Sequence, residues 1–186
     1  MRPRIAVAVN VARVWPSAAP GAVLSGTLSR WIITQCNDWL GYTTFTVGVR
    51  GTELRLTMLV PSAALRPADH QPSDGRLVFP VAEAMRPPQL VLVHPGRLWP
   101  PTRFRWAVET PLIIKSQGVQ LNQLEVGMLR GWVYASTGRL GYVDWMVPLQ
   151  GNGIPLSALL PEAAFRPAGP DQVADLDGLR TAALWR

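Results

Sequence analysis

The sequence predicts a mainly β protein: a tandem duplication of one small barrel, followed by a short C-terminal helix. Three observations carry that expectation: a self-match at a fixed offset, period-2 alternation in both copies, and a proline-bounded tail closing each copy. The self-match comes first because a repeat of this length dictates the architecture. Residues 40–68 read LGYTTFTVGVRGTELRLTMLVPSAALRPA, and residues 140–168 read LGYVDWMVPLQGNGIPLSALLPEAAFRPA. Without a gap, thirteen of these 29 positions are identical, where average composition gives about two. Upstream, Gly26–Trp31 (GTLSRW) resembles Gly127–Trp132 (GMLRGW), and the Trp15-Pro16 pair resembles Trp99-Pro100. From Trp15 to Leu40 is 25 positions and from Trp99 to Leu140 is 41. The second copy therefore carries an insertion of 16 residues, placed in Thr102–Leu124.

Each copy reads as strands. In the first, Phe45, Val47 and Val49 are apolar and alternate with Thr44 and Thr46, and Trp145, Val147 and Leu149 keep that phase in the second. After a turn at Gly51, or at Gly151–Gly153, Leu54, Leu56, Met58 and Val60 repeat the alternation, as do Ile154, Leu156, Ala158 and Leu160. Two alternating runs around a glycine turn predict a β-hairpin with one buried face. The tails Val60–Pro67 and Leu160–Pro167 begin and end near proline. That predicts a single 3₁₀-like turn that plugs a barrel end with Leu65 or Phe165. Further strands are expected at Ile5–Trp15, Val23–Thr34, Leu90–His94, Arg103–Glu109 and Met128–Ala135. The expected organisation is a first barrel at 1–68, a proline-rich linker at 69–88, a second barrel at 89–168 and a helix at 169–186. In that last segment Val173, Leu176, Leu179 and Ala183 recur at helical spacing.

A first strand, a second strand, a hairpin and a terminal turn of the form Val-Pro-x-x-x-Leu-Arg-Pro resemble the SH3-like barrels of the Tudor and agenet kind. The resemblance covers about 30 residues per copy. It implies small five-stranded barrels that bind peptides, often methylated ones, or nucleic acid.

Composition narrows the class. With 48% hydrophobic and 16% charged residues, the 186-residue chain is too apolar and too charge-poor for disorder. Eight Trp supply the apolar area that domains of ~80 residues need against a poor surface-to-volume ratio. The formal charge is +6, and Lys115 is the only lysine among 18 basic residues. Abundant Arg, Ala, Pro and Gly fit the codon bias of a high-GC bacterium or its phage, while the positive balance itself favours polyanions. The lone Cys36 excludes an internal disulfide and is expected as a small buried hydrophobe. Arg2 and Arg4 before Ile5–Val9 imitate a secretion signal, but Asn10 and Arg13 interrupt the run, which reads as a strand. With no apolar stretch approaching 18 residues, the expected place is the cytoplasm, without signal peptide or membrane.

No motif signals catalysis. His70 and His94 are not spaced as ligands, and no Cys/His cluster points to zinc. The turn at Gly151–Gly153 lacks the Lys-Ser/Thr of a phosphate loop, and no Gly-x-Ser-x-Gly occurs. Glu109, Glu125 and Asp144 are scattered carboxylates. The expectation is a protein without cofactor, metal or enzymatic activity. Binding features are clearer. On a strand, Arg103 and Arg105 share one face, with Phe104 and Trp106 on the other. Arg30 with Trp31, and Arg130 with Trp132, place cations beside aromatics in each copy. Together these residues could follow a phosphate backbone while aromatics stack on bases. Tyr42 and Tyr142 stand in the opposite phase from Phe45 and Trp145, which makes them candidate ligand aromatics. Two function classes fit: tandem barrels contacting nucleic acid, DNA first, or a structural or adaptor protein of a phage particle or other assembly.

Overall fold

The alternating runs form strands in the computed structural model, which describes residues 4–15, 22–68, 77–100, 111–135, 138–149 and 152–169. The first copy contributes β1 (Ile5–Asn10), β2 (Val23–Ile33), β3 (Trp39–Val49), β4 (Thr52–Pro61) and β5 (Leu65–Pro67). A two-residue strand, β6 (Val78–Phe79), leads into the second copy: β7 (Val81–Val93), β8 (Glu125–Ala135), β9 (Gly138–Leu149), β10 (Asn152–Pro161) and β11 (Phe165–Pro167). Among the described residues, helix is confined to the short turns α1 (Val11–Val14), α2 (Pro95–Leu98) and α3 (Leu112–Gln117), with 3₁₀ turns at Ser62–Ala64 and Glu162–Ala164. The strands join one open sheet in the order β11-β7-β8-β9-β10-β4-β3-β2-β1-β5, antiparallel throughout, with β6 alone pairing parallel to β3.

Each copy is a four-strand meander whose short fifth strand returns beside the first: Val9 pairs with Leu65, and Val93 with Phe165. The 3₁₀ turn predicted from the tails produces this return. The β3–β4 connection is a two-residue turn at Arg50 and Gly51, with φ of 49° and 80°. Positive φ at both positions matches the turn twist to the strand twist, and Gly51 reaches it without cost. The predicted first strand, Ile5–Trp15, ends early. At Asn10 the chain turns into α1, Val11 N–H bonds the carbonyl of Ala22, and Trp15 drops into the core at 2% exposure.

The two copies share one body. Across the β4–β10 junction Thr57 pairs with Ser157, its own counterpart one hundred residues on. An antiparallel pair of equivalent residues defines a pseudo-two-fold axis, so each contact across it is expected twice. The indole N–H of Trp15 donates to the carbonyl of Leu159 at 2.8 Å, and that of Trp99, its counterpart, to the carbonyl of Leu59 at 2.8 Å. Each tryptophan also packs within its own copy, Trp15 edge-on to Phe45 and Trp99 stacked on Trp145. The exchanged tryptophans stitch the junction, and the buried residues of both copies form one cluster.

Of the linker expected at 69–88, residues 69–76 lie outside the described residues. The remainder is sheet: Phe79 is buried, and Val81–Ala84 pairs with Tyr134–Gly131 of β8. Register shows where the insertion enters. Counterparts lie 84 residues apart in β1/β7 (Val7, Val91), 101 apart in β2/β8 (Gly26, Gly127) and 100 apart in β3/β9 (Phe45, Trp145). The extra chain therefore falls between Trp99 and β8. Its described part, α3 and the residues after it, folds back so that Val119 bridges Thr34 at the end of β2. The expected C-terminal helix lies outside the described residues.

Candidate binding surface

Arg30 and Tyr42 stand opposite each other on β2 and β3, and the Arg30 guanidinium lies 5.1 Å above the tyrosine ring. The Tyr42 hydroxyl donates to the carbonyl of Pro155 in the other copy at 3.1 Å. Burial raises the phenol above its ordinary value, and Arg30 opposes that rise. Tyr42 thus closes the junction between the copies. Beside it Thr44 shares a hydroxyl hydrogen bond with Thr57 at 3.2 Å.

The second copy rebuilds this place with charge. Asp144 replaces Thr44, accepting from the Ser157 hydroxyl at 2.6 Å and from Arg130 Nε at 2.9 Å. Tyr142 belongs to the same cluster; burial raises its phenol first, then the Asp144 charge, while a hydrogen bond with Ser157 and the charge of Arg130 lower it. As cations beside a tryptophan, Arg30 and Arg130 hold equivalent places, but residue by residue they do not, in the match of GTLSRW with GMLRGW and in the register alike. A bulge sits at each position, yet Arg30 pairs with Tyr42, whereas it is Gly131 that pairs with Tyr142. Arg130 corresponds to Ser29, one residue earlier. Gly131 is required there because a Cβ would stand 2.5 Å from the Glu83 carbonyl oxygen.

The two tryptophans of the motif differ more. Trp31, on the opposite face from Arg30, is 43% exposed and meets Trp39, 51% exposed, edge to face at 6.5 Å. Trp132 is half-buried. Its ring packs 5.6 Å from Phe165 and lies 4.1 Å below the Arg139 guanidinium. Arg139 in turn pairs with Glu162 (Nε to Oε2, 2.9 Å), which holds the Glu162 carboxyl below its ordinary range. Two exchanges at equivalent positions cause the difference: Trp39 becomes Arg139, and Leu65 becomes Phe165. The first copy therefore keeps an open aromatic pair where the second has a capped one.

The structure brings Arg30, Tyr42, Arg130 and Tyr142 to the two sides of the β4–β10 junction and puts Trp31 at the rim of the first copy. Arg103 and Arg105, with Phe104 and Trp106, lie outside the described residues, as do His70 and Glu109. Cys36, expected to be buried, is exposed, because it occupies the β2–β3 turn, where Asn37 takes a φ of 64°. Glu125 and Asp144 do not converge: the latter pairs with Met128, three residues along β8 from Glu125, a rise of about 10 Å. Sequence reasoning missed Trp39. The available signal was its exchange for Arg139 at a position that otherwise carries the strand phase. Among the described residues no three His, Cys, Asp or Glu gather as metal ligands, and no helix is long and apolar enough to cross a membrane. No known family model, curated protein or solved structure matches the chain.

Proposed function

We propose that this chain is a non-enzymatic interaction protein, an adaptor or assembly component that engages a protein partner through the first of two diverged, SH3-like barrel units. The barrel reading is supported by the repeated order of a four-strand meander, a 3₁₀ turn and a short strand returning to the first. The observation that carries the functional reading is the Trp31–Trp39 pair. Two large aromatics side by side at 43% and 51% exposure are unusual on a surface that needs only to face water, and aromatic anchors are enriched in protein interfaces. The duplication keeps one copy capped and leaves its sister open, which divides the labour between scaffold and binder.

Nucleic acid is the second reading, favoured by the charge of +6 and by exposed Arg30. It is the weaker of the two because Arg130 is already neutralised by Asp144, and Arg30 lies over Tyr42 on the face away from Trp31. The two readings separate in one set of experiments. A photo-reactive residue in place of Trp39 is expected to give discrete protein adducts in cells, while the same residue in place of exposed Arg55 gives none. Binding to random-sequence duplex and single-stranded DNA is measured alongside at about 50 and 200 mM salt. An affinity for DNA that falls steeply with salt and is lost in Arg30→Ala, together with no protein adducts at position 39, would overturn the proposal in favour of nucleic acid.

A further inference from the structure

We infer that the outer edge of β2 from Arg30 to Ile33 is a slot for one extended peptide strand of a partner protein, paired antiparallel to β2, with an apolar side chain laid on Trp31 and Trp39. The inference rests on the protein-binding reading above and deepens it. The second copy supplies the template. There β8 is paired on its outer side by β7 in two stretches, Gln89–Val93 against Leu129–Glu125 and, beyond a bulge, Val81–Ala84 against Tyr134–Gly131. In the first copy β1 reproduces only the first stretch, ending with Ile5 opposite Leu28. The next contact on that edge is the bridge between Thr34 and Val119. Among the described residues no strand pairs with the outer side of Arg30–Ile33, so the gap matches in length the four residues that fill it in the second copy.

The gap has the chemistry of a strand edge. The Ile33 carbonyl is turned to that side, where it accepts the Val119 N–H at 3.0 Å. Main-chain groups alternate sides along an antiparallel strand, so the N–H and C=O of Trp31 point the same way. Ile5 at one end, 52% exposed, and the Trp31–Trp39 pair alongside leave apolar surface next to an open edge, a combination that folded proteins otherwise block. An extended segment satisfies both features at once, with main-chain pairing for affinity and an alternate side chain for specificity. The side chain facing Trp31 is apolar, not acidic. In the second copy this position is Glu83, held by the Tyr134 hydroxyl at 3.0 Å and near Arg139. Ile33 and Trp39 replace those two partners in the first copy, leaving a carboxylate nothing to bind.

The test uses the full chain and a synthetic probe, an acetylated peptide with the sequence of residues 79–86 carrying Glu83→Leu. A second probe is the same peptide N-methylated on the alternate amides that would face β2. Binding is followed by backbone and indole N–H NMR shifts. The expected result is perturbation confined to Arg30–Thr34 and to the Trp31 and Trp39 indoles, at least a tenfold loss of affinity on N-methylation, and a comparable loss in Trp39→Ser. Equal affinity of the two peptides, or shifts elsewhere on the sheet, would overturn strand pairing. So would a Trp31 amide already protected from exchange in the free protein, since the chain would then cover its own edge. Self-association that depends on Trp39 and persists against saturating peptide would assign the edge to a second copy. A single-stranded oligonucleotide giving the same shifts would assign it to nucleic acid. Protein adducts at position 39 without peptide pairing would remove the slot yet leave the interaction reading standing; absence of both removes both.

Discussion

Replacing Trp99 with Phe tests whether the exchanged tryptophans hold the two copies together. The substitution keeps an aromatic ring against Trp145 but deletes the indole N–H that reaches the Leu59 carbonyl at 2.8 Å. Leu59 is fully buried and Trp99 is 5% exposed, so water cannot replace the lost donor. A buried carbonyl left without its partner costs about 1–3 kcal/mol. The smaller ring leaves a void that adds about 1 kcal/mol. The sum, about 2–4 kcal/mol, is a large share of a typical domain stability of about 5–15 kcal/mol. Pseudo-symmetry requires nearly the same loss from Trp15→Phe, whose indole serves Leu159. The assay is urea unfolding followed by far-ultraviolet circular dichroism and by tryptophan fluorescence. Both variants should show one transition by both probes, shifted to lower denaturant with an unchanged slope. A loss below about 0.5 kcal/mol would refute the hydrogen-bond reasoning. Two separable transitions, with each variant moving only one, would refute the single cooperative body.

Glu125 supplies a pH dependence. Its carboxyl is pushed by burial from 4.5 up to about 7. The folded chain then binds that proton more tightly than the unfolded one. The associated stability is full below about pH 4.5 and is lost as pH rises through 7. For a half-buried group screened by solvent the swing is on the order of 1 kcal/mol, and Glu125→Gln should flatten it and raise stability at pH 8. Gly131→Ala forces a Cβ onto the Glu83 carbonyl and should cost about 1–3 kcal/mol, with faster amide exchange at Val81–Ala84 than elsewhere in β7. Asp144→Ala removes both the partly exposed pair with Arg130 and the acceptor of the Ser157 hydroxyl, and should lower stability by about 1–2 kcal/mol, read by thermal unfolding. Because it also frees a guanidinium, it should raise any affinity for duplex DNA, and no rise would count further against the nucleic-acid reading.

The sequence by itself determined the repeat, the strand phases and the turns. Phe45 and Val47, Leu56 and Met58 are buried as their alternation requires, because which face a strand residue takes is a local property of the extended backbone. Gly51 in its turn and the 3₁₀ segments after Pro61 and Pro161 follow from equally local conformational preferences. Tertiary structure decided the rest. Alternation shows which way Trp31 and Trp132 point but not what covers them, and the covers, Arg139, Phe165 and Val81–Ala84, come from distant segments. The bulge has the same register in both copies, so Arg30 answers to Gly131 and Arg130 to Ser29, as the match of GTLSRW with GMLRGW already shows. What the motif could not show is that Arg130 reaches Asp144 while Arg30 lies over Tyr42. The pairing of Thr57 with Ser157 and the exchange of Trp15 and Trp99 across it depend on how two surfaces fit together. Nothing in either copy's own pattern encodes that fit. It forms when the junction between them excludes water, and only then do the buried Leu59 and Leu159 carbonyls require the indoles that reach them.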